Sequence, residues 1–216
     1  MASPGELVRT VSSATGVPLP TIVAIDRRLV KAKLRTKGGR GFNAAQMTPL
    51  DAARLLTAVL AGPHASGAAD VVERYSQTHV DKTRSSDKLL GSTDLDDLAA
   101  LPGKHSFVDA LTALITSTSS GSIAKVMIKS QNGWVPRIEI YAFARAVRGR
   151  IRIAGLPNGL TASVEYAAAL DGIKTRRDAK IGRTRSGVAD DREGDLEQSR
   201  RVTERTILSI AALLAQ

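Results

Sequence analysis

The chain lacks cysteine and has few aromatic residues. The absence of cysteine from all 216 residues excludes disulfide bonds, thiolate catalysis and cysteine-ligated zinc or iron–sulfur sites. Aromatic residues make up only 3% of the chain, so its core must be aliphatic. No apolar run reaches the roughly 18 residues of a membrane span, and the first residues lack the layout of a signal peptide. We therefore expect a soluble, cytoplasmic protein without a membrane partner.

Signals of catalysis and metal binding are also scarce. The three histidines, His64, His79 and His105, do not have metal-ligand spacing. The sequence contains neither a nucleophile elbow nor a phosphate-binding loop with its lysine. The acidic run that begins at Asp94 lacks the spacing of a calcium loop and is typical of the first turn of a helix. We expect no enzyme activity, no metal and no cofactor.

Positive charge is abundant and unevenly distributed. The formal net charge is +10. Residues 1–62 carry nine basic and three acidic side chains, and residues 122–193 carry fourteen and seven, whereas acids exceed bases over residues 63–121. Two separate basic blocks predict one or two surfaces that bind a polyanion. A merely solvated basic surface is the alternative.

The first basic block begins with two predicted helices joined by a tight turn. Ser3 and Glu6 have the spacing of a helix start, and Gly16 ends this first helix. A second helix is predicted from about Pro20 to Lys33. Gly16 permits a left-handed turn, so the two helices are expected to cross in a helix-turn-helix arrangement. The inward stripe of the second helix consists of Ile22, Ile25 and Leu29.

These residues resemble a known class of DNA-binding protein. Residues 11–25 (VSSATGVPLPTIVAI) resemble the helix-turn-helix of bacterial and phage transcription regulators. Residues 29–41 (LVKAKLRTKGGRG) are similar to a recognition helix that runs into the glycine-rich, basic wing of a winged helix. The resemblance covers about residues 4–62. It implies a sequence-specific transcription regulator that binds double-stranded DNA. Such modules pair as homodimers because one helix reads only a few base pairs; contact with RNA polymerase is left open.

The predicted DNA contacts are mostly cationic. On the second helix, Arg27, Arg28 and Lys31 are expected to grip the major-groove region. In the loop that follows, Lys37 and Arg40 are expected to reach phosphates or the adjacent minor groove, although this loop could instead be a plain surface loop. The complete set is Thr21, Arg27, Arg28, Lys31, Arg35, Lys37, Arg40, Arg148, Arg150 and Arg152.

The whole chain is predicted to have an α+β fold in three segments. Residues 1–62 form the winged helix-turn-helix domain, residues 63–121 an acidic helical connector, and residues 122–216 an α+β domain. In the last segment, Asn132-Gly133 predicts a hairpin, and alternation over residues 150–153 predicts a strand of a small antiparallel sheet. A terminal helix follows, which packs on the sheet or joins a partner subunit. Residues 171–193 form a basic loop that orders on binding.

Other functions remain open. The first is a non-regulatory phage or plasmid DNA-binding protein for packaging, replication or partition. The second is an RNA-binding protein, which the basic sheet and the loop at 171–193 favour. A nucleic-acid enzyme would need acidic residues that converge on a cationic groove.

Overall fold

The structure is a computed structural model that describes residues 2–37, 45–62, 64–82, 85, 95–122, 137–143, 147–155, 161–168 and 199–216. Its α-helices are α1 (Pro4–Thr15), α2 (Leu19–Lys31), α3 (Pro49–Ala61), α4 (Ala68–Ser76), α5 (Asp96–Ala99), α6 (Phe107–Ser119) and α7 (Glu204–Leu214). Its strands are β1 (Thr78–Val80), β2 (Arg137–Phe143), β3 (Arg148–Ala154), β4 (Thr161–Ala168) and β5 (Ser199–Thr203). The predicted α+β class is confirmed. The predicted wing at 38–41, the Asn132-Gly133 hairpin and the loop at 171–193 lie outside the described residues.

The five strands form one antiparallel sheet in the order β1-β4-β3-β2-β5. Its inner face packs against α3, α6 and α7. The alternation predicted for residues 150–153 is confirmed, since Ile151 and Ile153 are buried and Arg150 and Arg152, which alternate with them, point outward. Glycine is required at position 149, where a Cβ atom would overlap the ring of Phe107. The inner face is apolar; its buried residues include Ile138, Ile140, Ile151, Ile153, Val164 and Tyr166.

Helix α3 lies at the centre of the molecule. Ten of its thirteen residues are buried, because it contacts α2, α4, α6, β2 and β5. Helix α1 packs against α2 and α7. A single hydrophobic cluster therefore includes residues from all three predicted segments, and the boundaries expected near residues 62 and 121 do not separate two cores.

Three helices begin with a capping box. The start predicted at Ser3 is confirmed, and Thr48 and Ser106 cap α3 and α6 in the same way, each with the acid three residues later. Helix α2 begins without a side-chain cap. It needs less capping because Pro18 and Pro20 have no amide hydrogen, so two of the four donors at a helix start are missing.

Two short strands of the sheet were not predicted from the sequence. Helix α4 ends at Ser76, and Thr78–Val80 forms a strand that pairs with β4. Similarly, Ser199–Thr203 pairs with β2 before the last helix begins at Glu204. Both strands are five residues or shorter, and their pairing partners are distant in the sequence. A local pattern therefore does not reveal them.

The hydroxyl group of Tyr75 is hydrogen-bonded to the end of β2 and to the start of β3. It donates a hydrogen bond to the carbonyl of Arg148 over 2.8 Å and accepts one from the amide of Phe143 over 3.2 Å. Burial raises the pKa of Tyr75 above its ordinary value, so the hydroxyl keeps its proton. Helix α4 thus holds both strands at the point where they meet.

None of the helices in the described ranges combines the length and hydrophobicity needed to cross a membrane.

Helix α2 ends in a Schellman motif built on a lysine. Lys33 has φ of 60°, in the left-handed region where glycine is usual. Its amide donates to the carbonyl of Val30, and the amide of Leu34 donates to that of Leu29. Leu34 then packs against the core. The chain leaves α2 in a defined direction, at the cost of an unfavourable backbone conformation at Lys33.

Replacing Lys33 by glycine is expected to raise the free energy of unfolding by about 0.5–1 kcal/mol, because glycine adopts a positive φ without a Cβ clash. Urea denaturation measures the change. Lys33→Ala is the matched control: it removes the same charge, keeps the Cβ atom and should give no gain. An equal gain in both variants would show that charge, and not backbone conformation, is the unfavourable feature of Lys33.

Candidate nucleic-acid interface

Helix α2 presents a cationic face to solvent. Its stripe of Ile22, Ile25 and Leu29 is buried against the other helices. On the opposite side, Arg27, Arg28 and Lys31 are exposed, and their spacing places them next to one another on a helix. We call the exposed residues Thr21, Arg27, Arg28 and Lys31 the α2 surface.

The cations of the α2 surface are unneutralised. Among the residues that the structure describes, no carboxylate forms an ion pair with Arg27, Arg28 or Lys31. The one acid of this helix, Asp26, is buried on the inward side. Within the described part of the chain, this face therefore carries three positive charges without an acidic partner.

Arg35 differs from the other predicted contacts because its side chain is engaged inside the fold. Its Nε lies 2.5 Å from Oδ1 of Asp26, and its Nη2 lies 2.8 Å from Oδ2. The side chain of Arg35 is only 8% exposed. Arg35 thus neutralises Asp26 and fixes the chain after α2, so we exclude it from the interface predicted from the sequence.

The segment that follows α2 is held in place by α3. Arg54 donates a hydrogen bond to the carbonyl of Leu34 over 2.9 Å, and the amide of Thr36 donates to Oδ1 of Asp51 over 2.8 Å. The next residue, Lys37, is exposed. The backbone just before Lys37 is therefore fixed, and the exposed side chain of Lys37 lies beside the end of α2. Arg40 and its neighbouring glycines lie outside the described residues.

Asp51 has two structural roles. It caps α3 by accepting bonds from the amide and hydroxyl of Thr48, and it also binds the amide of Thr36. Burial by itself would raise the pKa of Asp51, but the hydrogen bonds from Thr36 and Thr48 outweigh burial, and the pKa lies below its ordinary value. The charged form of Asp51 thus links the start of α3 to the segment after α2.

The three predicted arginines of the sheet point outward from β3, where acids face them. Arg150 contacts Oε1 of Glu165 through Nε at 2.9 Å and Nη2 at 2.5 Å. Arg152 donates to Oε2 of Glu139 over 2.9 Å. Arg148 lies 4.5 Å from the centre of the Phe143 ring and 3.9 Å from Glu165. These arginines differ from those of α2 because each has an acidic neighbour.

Two more arginines on this face were missed by the sequence reasoning. Arg137 and Arg201 lie at the outward positions of β2 and β5, and both contact Glu139. Their alternation with the buried Ile138 and Val202 was the available signal. We call the outward-facing residues the sheet surface: Arg137, Glu139, Tyr141, Phe143, Arg148, Arg150, Arg152, Glu165 and Arg201.

The predicted contact residues fall on two surfaces instead of one. Helix α2 and the strands β2 and β5 all pack against α3. The α2 surface is the exposed face of a helix and the sheet surface is the outward face of the strands, and the two have no residue in common.

The histidines do not form a metal site. His105 is buried: its Nδ1 lies 2.7 Å from the carbonyl of Pro102, and its Nε2 lies 2.9 Å from the hydroxyl of Tyr166. Because both ring nitrogens have partners inside the fold, His105 has a structural role in the core. In the described ranges, no group of histidine and acidic side chains has the arrangement of a metal site.

A cleft of about 380 Å³ lies at the start of α2. Thr21 and Pro18 line one side of it, and the end of α3 lines the other. Arg200 also lines the cleft and donates hydrogen bonds to the carbonyls of Val59 and Gly62, both over 3.0 Å. Arg200 thus caps the end of α3. The cation in this cleft therefore has a structural role, and Thr21 lies at the rim of the cleft.

Comparisons of the chain with protein-family models, with curated proteins and with solved structures found no match. The chain is therefore assigned to no family. Its charge distribution and packing are the basis for assigning a function.

Asp51→Asn is expected to lower the free energy of unfolding at neutral pH by about 1–2 kcal/mol, because an amide cannot accept all the bonds that the carboxylate accepts. The pKa of Asp51 is lowered in the fold, so its contribution is complete above the ordinary value of 3.8. It declines as the pH falls from there through the folded pKa. Urea denaturation at a series of pH values should show the two proteins converging in acid.

Asp109→Asn is the matched control. Asp109 makes the same capping-box bonds with Ser106 but has no counterpart of the bond to Thr36. Its replacement should cost less. Equal losses at both positions would show that the bond between Asp51 and Thr36 contributes nothing.

Proposed function

We propose that this chain binds double-stranded DNA, with the α2 surface placed in or along the major groove. The observation that carries the proposal is the outward face of α2, where Arg27, Arg28 and Lys31 are exposed without an acidic partner in the described part of the chain. Unpaired cations bind phosphates without first losing an ion pair. They also gain free energy from the counterions that the nucleic acid releases.

The shape of α2 also supports binding in the major groove. A helix with side chains is roughly 10–12 Å across, close to the ~12 Å width of the major groove. The stripe of Ile22, Ile25 and Leu29 fixes α2 to the body of the protein, so its outward face is rigid. Lys37 extends the cationic surface beyond the end of the helix, where a neighbouring phosphate would lie.

Affinity would come mainly from phosphate contacts. The exposed positions early in α2 are Leu19, Pro20 and Thr21, of which only Thr21 has a hydrogen-bonding side chain. Arg27 and Arg28 are then the residues able to make bidentate contacts with guanine. One such helix reads few base pairs, which is why a sequence-specific transcription regulator of this kind would act as a homodimer on a two-fold site in the bacterial cytoplasm.

The pairing segment of the proposed dimer is not assigned to α7. Ile207, Ile210 and Leu213 of this helix are buried, because α7 packs against α1 and α6. Its one large exposed apolar residue is Leu208. The apolar face of α7 is thus used within the chain itself.

The triple variant Arg27→Gln/Arg28→Gln/Lys31→Gln tests the proposal. Fluorescence anisotropy with a labelled duplex should show binding at least about tenfold weaker. The slope of log affinity against log salt should become shallower by about 2–3, since each lost phosphate contact removes about 0.9.

A second triple variant controls for overall charge. Arg74→Gln/Lys104→Gln/Arg205→Gln also removes three exposed cations, but from outside the α2 surface. It should leave the salt slope almost unchanged. If both variants lose affinity equally, net charge and not the α2 surface drives binding.

Selection of bound duplexes from a random pool, at two salt concentrations, then tests the regulatory role. Enrichment of a short palindrome that footprints near promoters would support a transcription regulator. Repeats at an origin or a packaging site would instead favour a replication, partition or packaging protein. Recovery of no preferred sequence would contradict sequence-specific regulation.

A further inference from the structure

The sheet surface contains a cluster in which three arginines share one buried acid. Arg152 contacts Oε2 of Glu139, and Arg201 and Arg137 contact its Oε1 at 3.0 and 3.3 Å. The side chain of Glu139 is only 4% exposed, whereas those of the arginines are 45–61% exposed. The negative charge is therefore covered, and the positive charges face solvent.

This cluster has two positive charges in excess. Each arginine contacts Glu139 through one nitrogen atom, so within the described ranges most of the five N–H donors of each guanidinium group stay available. The hydrogen bond from Arg152 and the nearby charges of Arg137 and Arg201 outweigh burial and lower the pKa of Glu139. The acid thus stays ionised and holds the three guanidinium groups in place.

An aromatic side chain lies within the same array. The strand register places Arg150, Tyr141 and Arg201 side by side across β3, β2 and β5. Glu165 on β4 continues this row and binds Arg150. Arg201 lies 6.0 Å from the centre of the Tyr141 ring, and Tyr141 is partly exposed. The ring of Tyr141 on β2 thus lies between two cations, Arg150 on β3 and Arg201 on β5.

We propose that the sheet surface binds single-stranded nucleic acid, separately from the α2 surface. Surfaces that bind single strands combine cations that follow the backbone with aromatic rings on which bases stack. The guanidinium groups around Glu139 supply donors for phosphates, and Tyr141 supplies the ring. Because the sheet surface and the α2 surface share no residue, this inference does not depend on the proposed binding of duplex DNA.

The geometry of the sheet favours a single strand over a duplex. β2 and β3 each have seven residues, so the face is roughly 20 Å on each side. A duplex would meet such an open face mainly through its protruding backbone, and its stacked bases would stay out of reach of Tyr141. A single strand turns both its phosphates and its bases toward the surface.

Fluorescence anisotropy with labelled single strands of about 12 nucleotides, as oligo-dT and oligo-U, tests the proposal on the full chain. Tyr141→Leu should weaken binding about tenfold, whereas Tyr141→Phe keeps the stacking ring and should bind like the wild type. Arg137→Gln/Arg201→Gln should make the salt slope shallower by about 1.4, or 0.7 for each contact. This double variant leaves Glu139 paired with Arg152, so the fold is preserved.

Two comparisons make the outcome decisive. The α2 triple variant should keep its affinity for single strands while it loses affinity for duplex, so that failure of one proposal leaves the other intact. Polyphosphate of matched charge should bind more weakly than oligo-dT and should not respond to Tyr141→Leu. If Tyr141→Leu and Tyr141→Phe bind single strands alike, or if polyphosphate competes as well as oligo-dT, the proposal is overturned.

Discussion

The burial of α3 on all sides is the constraint on which the arrangement of this molecule depends. A helix that is apolar around most of its circumference needs partners in several directions, and α3 obtains them from α2, α4, α6 and the sheet. Each partner packs its own apolar face against α3. The polar faces of α2 and of the sheet are consequently turned outward. The position of both cationic surfaces follows from the packing of one helix.

Buried acids decide which of the many cations are available to a ligand. Asp26 engages Arg35 and withdraws it from the surface, and Glu165 engages Arg150. Glu139 acts differently, because three arginines share its single charge. The formal net charge of +10 therefore says less about binding than the pairing of the charges does. Among the described residues, the cations of the α2 surface have no acidic partner, whereas those of the sheet surface are oriented by acids and outnumber them.

The two proposals assign nucleic acids of different shape to the two surfaces. The α2 surface is a narrow rod with charges along one side, whereas the sheet surface is broad and carries an aromatic ring on β2. Together the two proposals describe a chain that binds a duplex and a single strand, an arrangement useful wherever a duplex is opened or a transcript is close to its template. The proposed regulator and its replication or packaging alternatives are all compatible with this pairing, and the preferred duplex sequence discriminates between them.

Local signals in the sequence were sufficient for the helices that begin with a cap, for the turn at Gly16 and for the alternation around Ile151, because backbone conformation and hydrophobic periodicity are properties of neighbouring residues. They also identified the cations of α2. The partners of those cations depend on residues distant in the chain, so only the tertiary structure decided that Arg35 is sequestered and that Arg137 and Arg201 join the sheet surface. The strands beginning at Thr78 and Ser199 were likewise decided by pairing across the sheet. The charge of a segment and its hydrophobic periodicity depend on neighbouring residues and can be taken from the sequence. The burial of a side chain and its ion-pair or strand partners are decided only when distant segments pack into one core.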